Sequence, residues 1–321
     1  MRISLFLIAL LFGFTGLQAE DQTSVIVVTG APGNEEYKKI FSEWTAQWKD
    51  AAGKGEAKFS EAVRTEEKTQ KEALGELIKA EVNQSKSPLW LVLIGHGTFD
   101  GKKAKFNLQG PDVSAADLKE WFKDCKRPLA VINCASSSSP FMNTLSGENR
   151  VIITATRSGS ERNFCRLGGF LAKAIGNPEA DIDKDGQTSL LEAWLAASRY
   201  SADFYKNENR LSPEHPLLDD NGDGKGTPPD WFRGIRVTKK SADPKLLPDG
   251  LRTHQLHLIP SEEERKLSAT QRAERDALDI ELAKLRVAKS LMEEKIYYLE
   301  LEKLLQKIGL IYFPEVESVK E

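Results

Sequence analysis

The chain has 321 residues, 40% of them hydrophobic, with 45 lysines and arginines against 48 aspartates and glutamates and a net charge of -3. That near balance, with no basic block, excludes an electrostatic footprint for nucleic acid or for an anionic membrane surface. Three cysteines, Cys125, Cys134 and Cys165, are too few for a disulfide scaffold, and an odd number in an exported chain leaves at least one thiol free or shared between chains.

Residues 1–19 read as a secretory signal peptide: Arg2, an apolar run from Ile3 to Phe14, and the small Ala19 ahead of acidic polar sequence. Cleavage is expected after Ala19, giving a secreted or periplasmic protein with no membrane segment after cleavage, because no other long uncharged apolar run follows. The remainder is long enough for one large α/β domain and an appendage. SVIVVT (Ser24 to Thr29), the turn GAPGN and EEYKKIFSEWTAQW predict strand, turn, helix. A phosphate-binding loop there is rejected, because Glu35 and Glu36 stand where Lys and Ser/Thr are needed.

A second helix is predicted within Thr65 to Val82, and LWLVLI (Leu89 to Ile94) is a buried strand ending at Gly95-His96-Gly97. A helix capped by Ser114 runs to Lys123, Leu129 to Asn133 is the strand that carries Cys134 into Ala135 and four serines, and VIITAT (Val151 to Thr156) is the next strand. Gly169 to Ile175 is helical. Continuous apolar runs alternating with helices predict an α/β fold, a mostly parallel sheet with helices on both faces. RGIRVTK and LRTHQLHLI alternate like two further strands joined by KSADPKLLPDG. From Glu262 to Tyr312, helical spacing with capping-box signals at Ser268/Gln271 and Ser290/Glu293 predicts a hairpin turning near Ser290. The predicted division is therefore 1–19 signal peptide, 20–259 α/β domain and 260–321 helical hairpin.

In a parallel sheet, functional groups gather at the carboxyl ends of strands, and His96 and Cys134 each sit at such an end. A thiol near pKa 8.5 is mostly protonated at neutral pH, so an adjacent imidazole is the group that would activate it and protonate a leaving amine. Gly97 lets its N–H approach a substrate carbonyl, and with the Cys134 N–H it forms a candidate oxyanion hole.

LVLIGHG followed by LAVINCAS resembles the caspase-like superfamily of cysteine peptidases, and within it the legumain-like branch, in the order and spacing of the two strand-end motifs from about Ser24 to Ile235. The resemblance implies a caspase-like sheet and endopeptidase activity on protein or peptide substrates. It implies His96 as base and acid, Cys134 as nucleophile and Gly97 as oxyanion donor. Arg157, Ser158 and Glu161, after the next strand, would line the first specificity pocket. Asn34 is the candidate to orient the imidazole. Ala135 and the four serines stand where the branch carries an acidic residue and Ser-Gly.

A separate signal is DIDKDGQTSLLE, residues 181–192. Asp181, Asp183, Asp185, the Gln187 carbonyl and Glu192 match an EF-hand-like calcium loop, with Gly186 at its turn, between plausible helices. DDNGDGKGTPPD, residues 219–230, places Asp219, Asn221 and Asp223 similarly, but Pro228 and Pro229 prevent a regular exiting helix there. Structural Ca2+ is thus the expected cofactor, with no organic one. His254 and His257 read as strand surface residues. The expected function is an exported Cys-His endopeptidase; the rival is a non-catalytic, calcium-dependent binding or adhesion module. The C-terminal helices, at Leu278, Leu282, Leu285 and Met292, are candidates for self-association or for bracing the domain.

Overall fold

The computed structural model describes residues 22–239 and 246–314, so the predicted signal peptide lies outside it. In chain order, β1 (Ser24–Thr29), α1 (Glu35–Lys54), β2 (Lys58–Glu61), α2 (Gln70–Glu81) and β3 (Leu89–Ile94) come first. The strands β4 (Gly97–Phe99), β5 (Ala104–Phe106) and β6 (Val113–Ser114) form a small antiparallel sheet ahead of α3 (Ala115–Trp121). Then follow β7 (Leu129–Asn133), α4 (Ser139–Leu145), β8 (Arg150–Thr154), α5 (Leu167–Ala174), α6 (Leu190–Asn207) and β9 (Leu217–Asp219). The chain ends in the ribbon β10 (Phe232–Arg233) and β11 (Arg236–Val237), then α7 (Leu251–His254), α8 (Glu262–Lys266), α9 (Ala269–Ala288) and α10 (Glu294–Tyr312).

The main sheet has the order β2-β1-β3-β7-β8-β9, parallel throughout except for β9 on its edge. Strand alternation divides its side chains between two cores. Val25, Val27, Trp90, Val92, Ile94 and Ile132 pack beneath α1, α5 and α6. Ile26, Val28, Leu91, Leu93 and Val131 pack beneath α2, α3 and α4. Both faces are covered, which is why these strands read as unbroken apolar runs.

Two predicted strands are not formed as expected. RGIRVTK turns back on itself, its Arg233 ending β10 and its Arg236–Val237 forming β11, and LRTH is helix α7. The cause is tertiary: the buried Asp220 carboxylate accepts from the Gly250 and Thr253 N–H groups and the Thr253 hydroxyl at 3.0, 2.8 and 2.7 Å. A carboxylate from a distant loop thereby caps this helix, and Gly250 supplies the left-handed entry at φ 109°. Part of the joining segment KSADPKLLPDG, residues 240–245, lies outside the described residues.

The C-terminal hairpin forms as predicted. A short 3-10 turn at Lys289–Leu291 joins α9 to α10, and Ser268 with Gln271 makes its capping box. The second box is absent: α10 begins after Glu293, with no side-chain cap, because Ser290 is inside the turn. Leu278 and Leu282 are buried against α10, and Arg275 pairs with Glu264 at 2.5 Å and donates to the Tyr312 hydroxyl at 3.1 Å. Among the described residues no helix is long and apolar enough to cross a membrane.

Candidate active site and acidic loops

β3 and β7 are hydrogen-bonded neighbours, with Leu93 opposite Asn133. Cys134 follows β7 directly, and its side chain falls on the same sheet face as Trp90 and Val92, beneath α1 and α5. His96 leaves β3 two residues beyond Ile94 and lies on that face too, its ring 5.3 Å from Phe41 and 6.0 Å from Phe164. The topology thus puts both predicted groups on one face of the sheet, beside an aromatic cluster of Phe41, Trp44 and Phe164. Trp44 and Phe164 stack at 5.8 Å.

The chemistry of the pair differs from the expected activated thiol. Cys134 is 1% exposed, and among the described residues no hydrogen bond joins it to His96. Burial, reinforced by the charge of Glu214, pushes the thiol up to about 12. Burial also holds the imidazole below its usual value, opposed by the contact of Nε2 with the Pro32 carbonyl at 3.3 Å. Both shifts favour neutral thiol and neutral imidazole over an ion pair. Asn34 does not orient His96. Its side chain accepts from the Tyr37 N–H as the N-cap of α1, and the Pro32 carbonyl occupies the orienting position instead.

Neither expected oxyanion donor is free. The Cys134 N–H continues the sheet by donating to the Leu93 carbonyl at 3.0 Å, and the Gly97 N–H donates to Ser136 Oγ at 3.3 Å. Gly97 has to be glycine, because a Cβ there would collide with the Ser136 carbonyl.

The four serines turn out to be a seam. Ser136 Oγ donates to the Gly97 carbonyl at 3.1 Å, and Ser137, in the left-handed region at φ 54°, donates its N–H to the Glu161 carbonyl at 2.7 Å. Ser138 Oγ accepts from the Ala155 and Thr156 N–H groups at 3.1 and 3.2 Å, and Ser139 opens α4. The hydroxyls of Ser136 and Ser138 and the N–H of Ser137 tie the end of β7 to β4 and to the loop after β8.

That loop carries the predicted pocket residues. Glu161 accepts from the Arg157 N–H at 3.0 Å and pairs with Arg157 Nε at 3.3 Å and with His215 Nδ1 at 2.6 Å. Ser158 is turned inward on the loop, its Oγ accepting from the Ser160 N–H. Arg157 keeps a largely exposed side chain at the rim. His215 and the buried Glu214 were not flagged by the sequence reading. Glu214 accepts from the Arg166 and Leu167 N–H groups at the start of α5 and from Ser201 Oγ at 2.5 Å. Neither sits in a local motif; only the return of the chain from α6 brings them in.

The loop at 181–192 makes the expected turn. Asp181 accepts from the Lys184 and Gly186 N–H groups at 2.6 and 3.1 Å, Asp185 accepts from Gln187 at 3.0 Å, and Gly186 has φ 88°. Carboxylate oxygens of Asp181, Asp183 and Asp185 lie within 4.8 Å of one another, a donor set that suits a hard cation. Asp183 also forms a group with Glu192 and His254, its Oδ2 3.0 Å from His254 Nε2. Burial and then the Glu192 charge raise its pKa. His254, read from sequence as a strand surface residue, is therefore part of this loop's surroundings. His257 forms a β-bridge with Ser189 and is mostly buried.

Glu192 differs from the expected bidentate ligand. It is fully buried, and each oxygen already accepts two hydrogen bonds: Oε1 from the Ile182 and Asp183 N–H groups, Oε2 from the Ser189 N–H and hydroxyl. Gln187, whose expected contribution is its backbone carbonyl, points its side-chain oxygen at the Ser261 N–H, 3.0 Å away.

The loop at 219–230 repeats the same backbone skeleton. Asp219 accepts from Gly222 and Gly224, Asn221 from Asp223, and Asp223 from Lys225, at 2.8 to 3.2 Å. Its twelfth residue, Asp230, is exposed on a 3-10 turn started by Pro229, and the closing role falls instead to Asp249 from beyond the loop, whose Oδ1 accepts from the Asp220 and Asn221 N–H groups and whose Oδ2 accepts from the Thr227 hydroxyl. All three cysteines are free thiols, so Cys125 and Cys165 form no disulfide.

No protein-family model matches the chain, and no curated protein is similar to it at a significant level. Among solved structures it is similar to the Drosophila initiator caspase Dronc, with 15% sequence identity and a TM-score of 0.45 over 64% of this chain and 82% of that one.

Proposed function

We propose that the chain is an exported cysteine endopeptidase of the caspase-like, legumain-like kind, resting with its nucleophile covered. The observation that supports it is the placement of His96 and Cys134 at the carboxyl ends of the paired strands β3 and β7, on one face of the sheet. In this reading Cys134 Sγ attacks the scissile carbonyl carbon as His96 takes the thiol proton. His96 then gives that proton to the departing amine, leaving a thioester, and next activates the water that hydrolyses it. Two movements precede attack. Phe164 must move away from His96, and Ser136 Oγ must release the Gly97 N–H, the donor then available to the oxyanion. Arg157, Ser158 and Glu161 line the first pocket. A structural Ca2+ is placed among Asp181, Asp183 and Asp185, with Glu192 bracing the loop from behind.

The test is cleavage of a diverse peptide library by purified protein, with labelling by a peptidyl acyloxymethyl ketone. Turnover and labelling that both vanish in Cys134→Ala support the reading. A folded wild type with no cleavage and no labelling sinks it. That outcome selects the second reading, a non-catalytic calcium-dependent binding module, which the burial of Cys134 and its thiol near 12 favour.

A further inference from the structure

Helix α10 is apolar on more than one side. Its inner stripe, Tyr297, Leu304, Ile308 and Ile311, packs on α9 and the segment before it. A helix apolar on several faces is normally covered on several faces, yet Tyr298 and Leu305 are each 50% exposed and Tyr312 is 38% exposed. Together with Leu301 and Gly309 they form a second stripe, at spacings of three, four, four and three residues, the pattern of a helix–helix seam. A shallow groove runs along it between Tyr298 and Gln306. Gly309 lies in the helix interior, where glycine is disfavoured relative to alanine, and among the described residues no atom outside its two chain neighbours and the helix's own backbone lies within 4 Å of the space a Cβ would take.

We infer that this stripe is the contact of a symmetric dimer in which α10 packs antiparallel against α10 of a second copy. The occupant follows from self-complementarity. With Leu305 on the two-fold axis, Tyr298 faces Tyr312 of the other copy, and the bulk of Leu301 faces the open space over Gly309; one patch supplies both knob and hole, as an isologous contact requires. A parallel pair would set each charge against its own copy, Glu300 on Glu300 and Glu302 on Glu302, whereas the antiparallel register about Leu305 sets Glu300 and Glu302 opposite the uncharged Leu310 and Ile308; Lys303 and Lys307 fall opposite each other but, two positions from Leu305, on the far side of the helix from the seam. Leu278 and Leu282, expected as the partner-facing residues, are consumed inside the hairpin.

The inference stands apart from the peptidase reading. It is tested by the mass of the full chain in solution, at on the order of 50 µM, together with cysteine cross-linking. The wild type should run as a dimer, and Leu305→Glu and Gly309→Leu should each return it to half that mass with unchanged circular dichroism. Under mild oxidation Leu305→Cys should link to itself, while Tyr298→Cys links only when mixed with Tyr312→Cys. A monomeric wild type overturns the inference, as does Tyr298→Cys linking to itself, which marks a parallel pair. A monomer that sediments with neutral phosphatidylcholine vesicles overturns it in favour of a lipid surface.

Discussion

The strand-end pair and the Asp181 loop are both announced by short motifs, yet the structure treats them oppositely. In the loop, the carboxylates of Asp181, Asp183 and Asp185 converge, with Asp183 and Asp185 exposed and Asp181 buried beside them. At the strand ends, Cys134 is buried, and both candidate oxyanion donors are bonded within the protein. A motif sets where a group leaves the backbone; the packing around it sets whether that group can react. The two acidic loops share one hydrogen-bond skeleton but close differently, the first by its own twelfth residue, Glu192, and the second by Asp249 from beyond the loop.

The largest effect should appear at Cys134. With its thiol near 12, the thiolate population is on the order of a thousandfold below that of an ordinary cysteine, and iodoacetamide should react correspondingly slowly at pH 7. Because the raised pKa lies above the working range, the thiolate fraction grows as pH rises. The rate measured by mass spectrometry should therefore climb about tenfold per pH unit from 7 to 9. Phe164→Ala should raise it by about tenfold by opening the aromatic cluster; fast alkylation of the wild type would erase the contrast with the loop.

Next in size is Glu192→Ala. It removes the acceptor for two loop N–H groups and half of the α6 capping box, so denaturant unfolding should show a loss of about 3 kcal/mol. Asp230→Ala, the equivalent position in the second loop, should stay within about 0.5 kcal/mol. Equal losses would show that Asp230, rather than Asp249, closes the second loop. A smaller effect is expected from chelation, which should lower the melting temperature by roughly 4 °C or more. Asp181→Ala should abolish that response and Asp219→Ala should leave it; no response in the wild type would make the first loop a plain turn.

His254→Ala should have the smallest effect. It removes a part-exposed contact with Asp183, worth no more than about 1 kcal/mol. Calorimetry of calcium titrations should show affinity changed by less than about tenfold; total loss of binding would make the imidazole a ligand.

By itself, the sequence determined the apolar strands β1, β3, β7 and β8, helices α1, α2, α3 and α5, the hairpin and the positions of His96, Cys134 and the Asp loops. These depend on apolar runs, caps and turn glycines, whose physics is local. Only the tertiary structure decided the rest. Asp220 turned an alternating segment into a helix by capping it from far away, and Pro32 took the place expected of Asn34. Glu214, His215 and His254 arrived from elsewhere in the chain, and Ser136 claimed the Gly97 N–H. Each of these depends on burial or on a donor and acceptor distant in sequence. The free energy of a buried polar group depends on which partner reaches it, and composition and spacing do not contain that information.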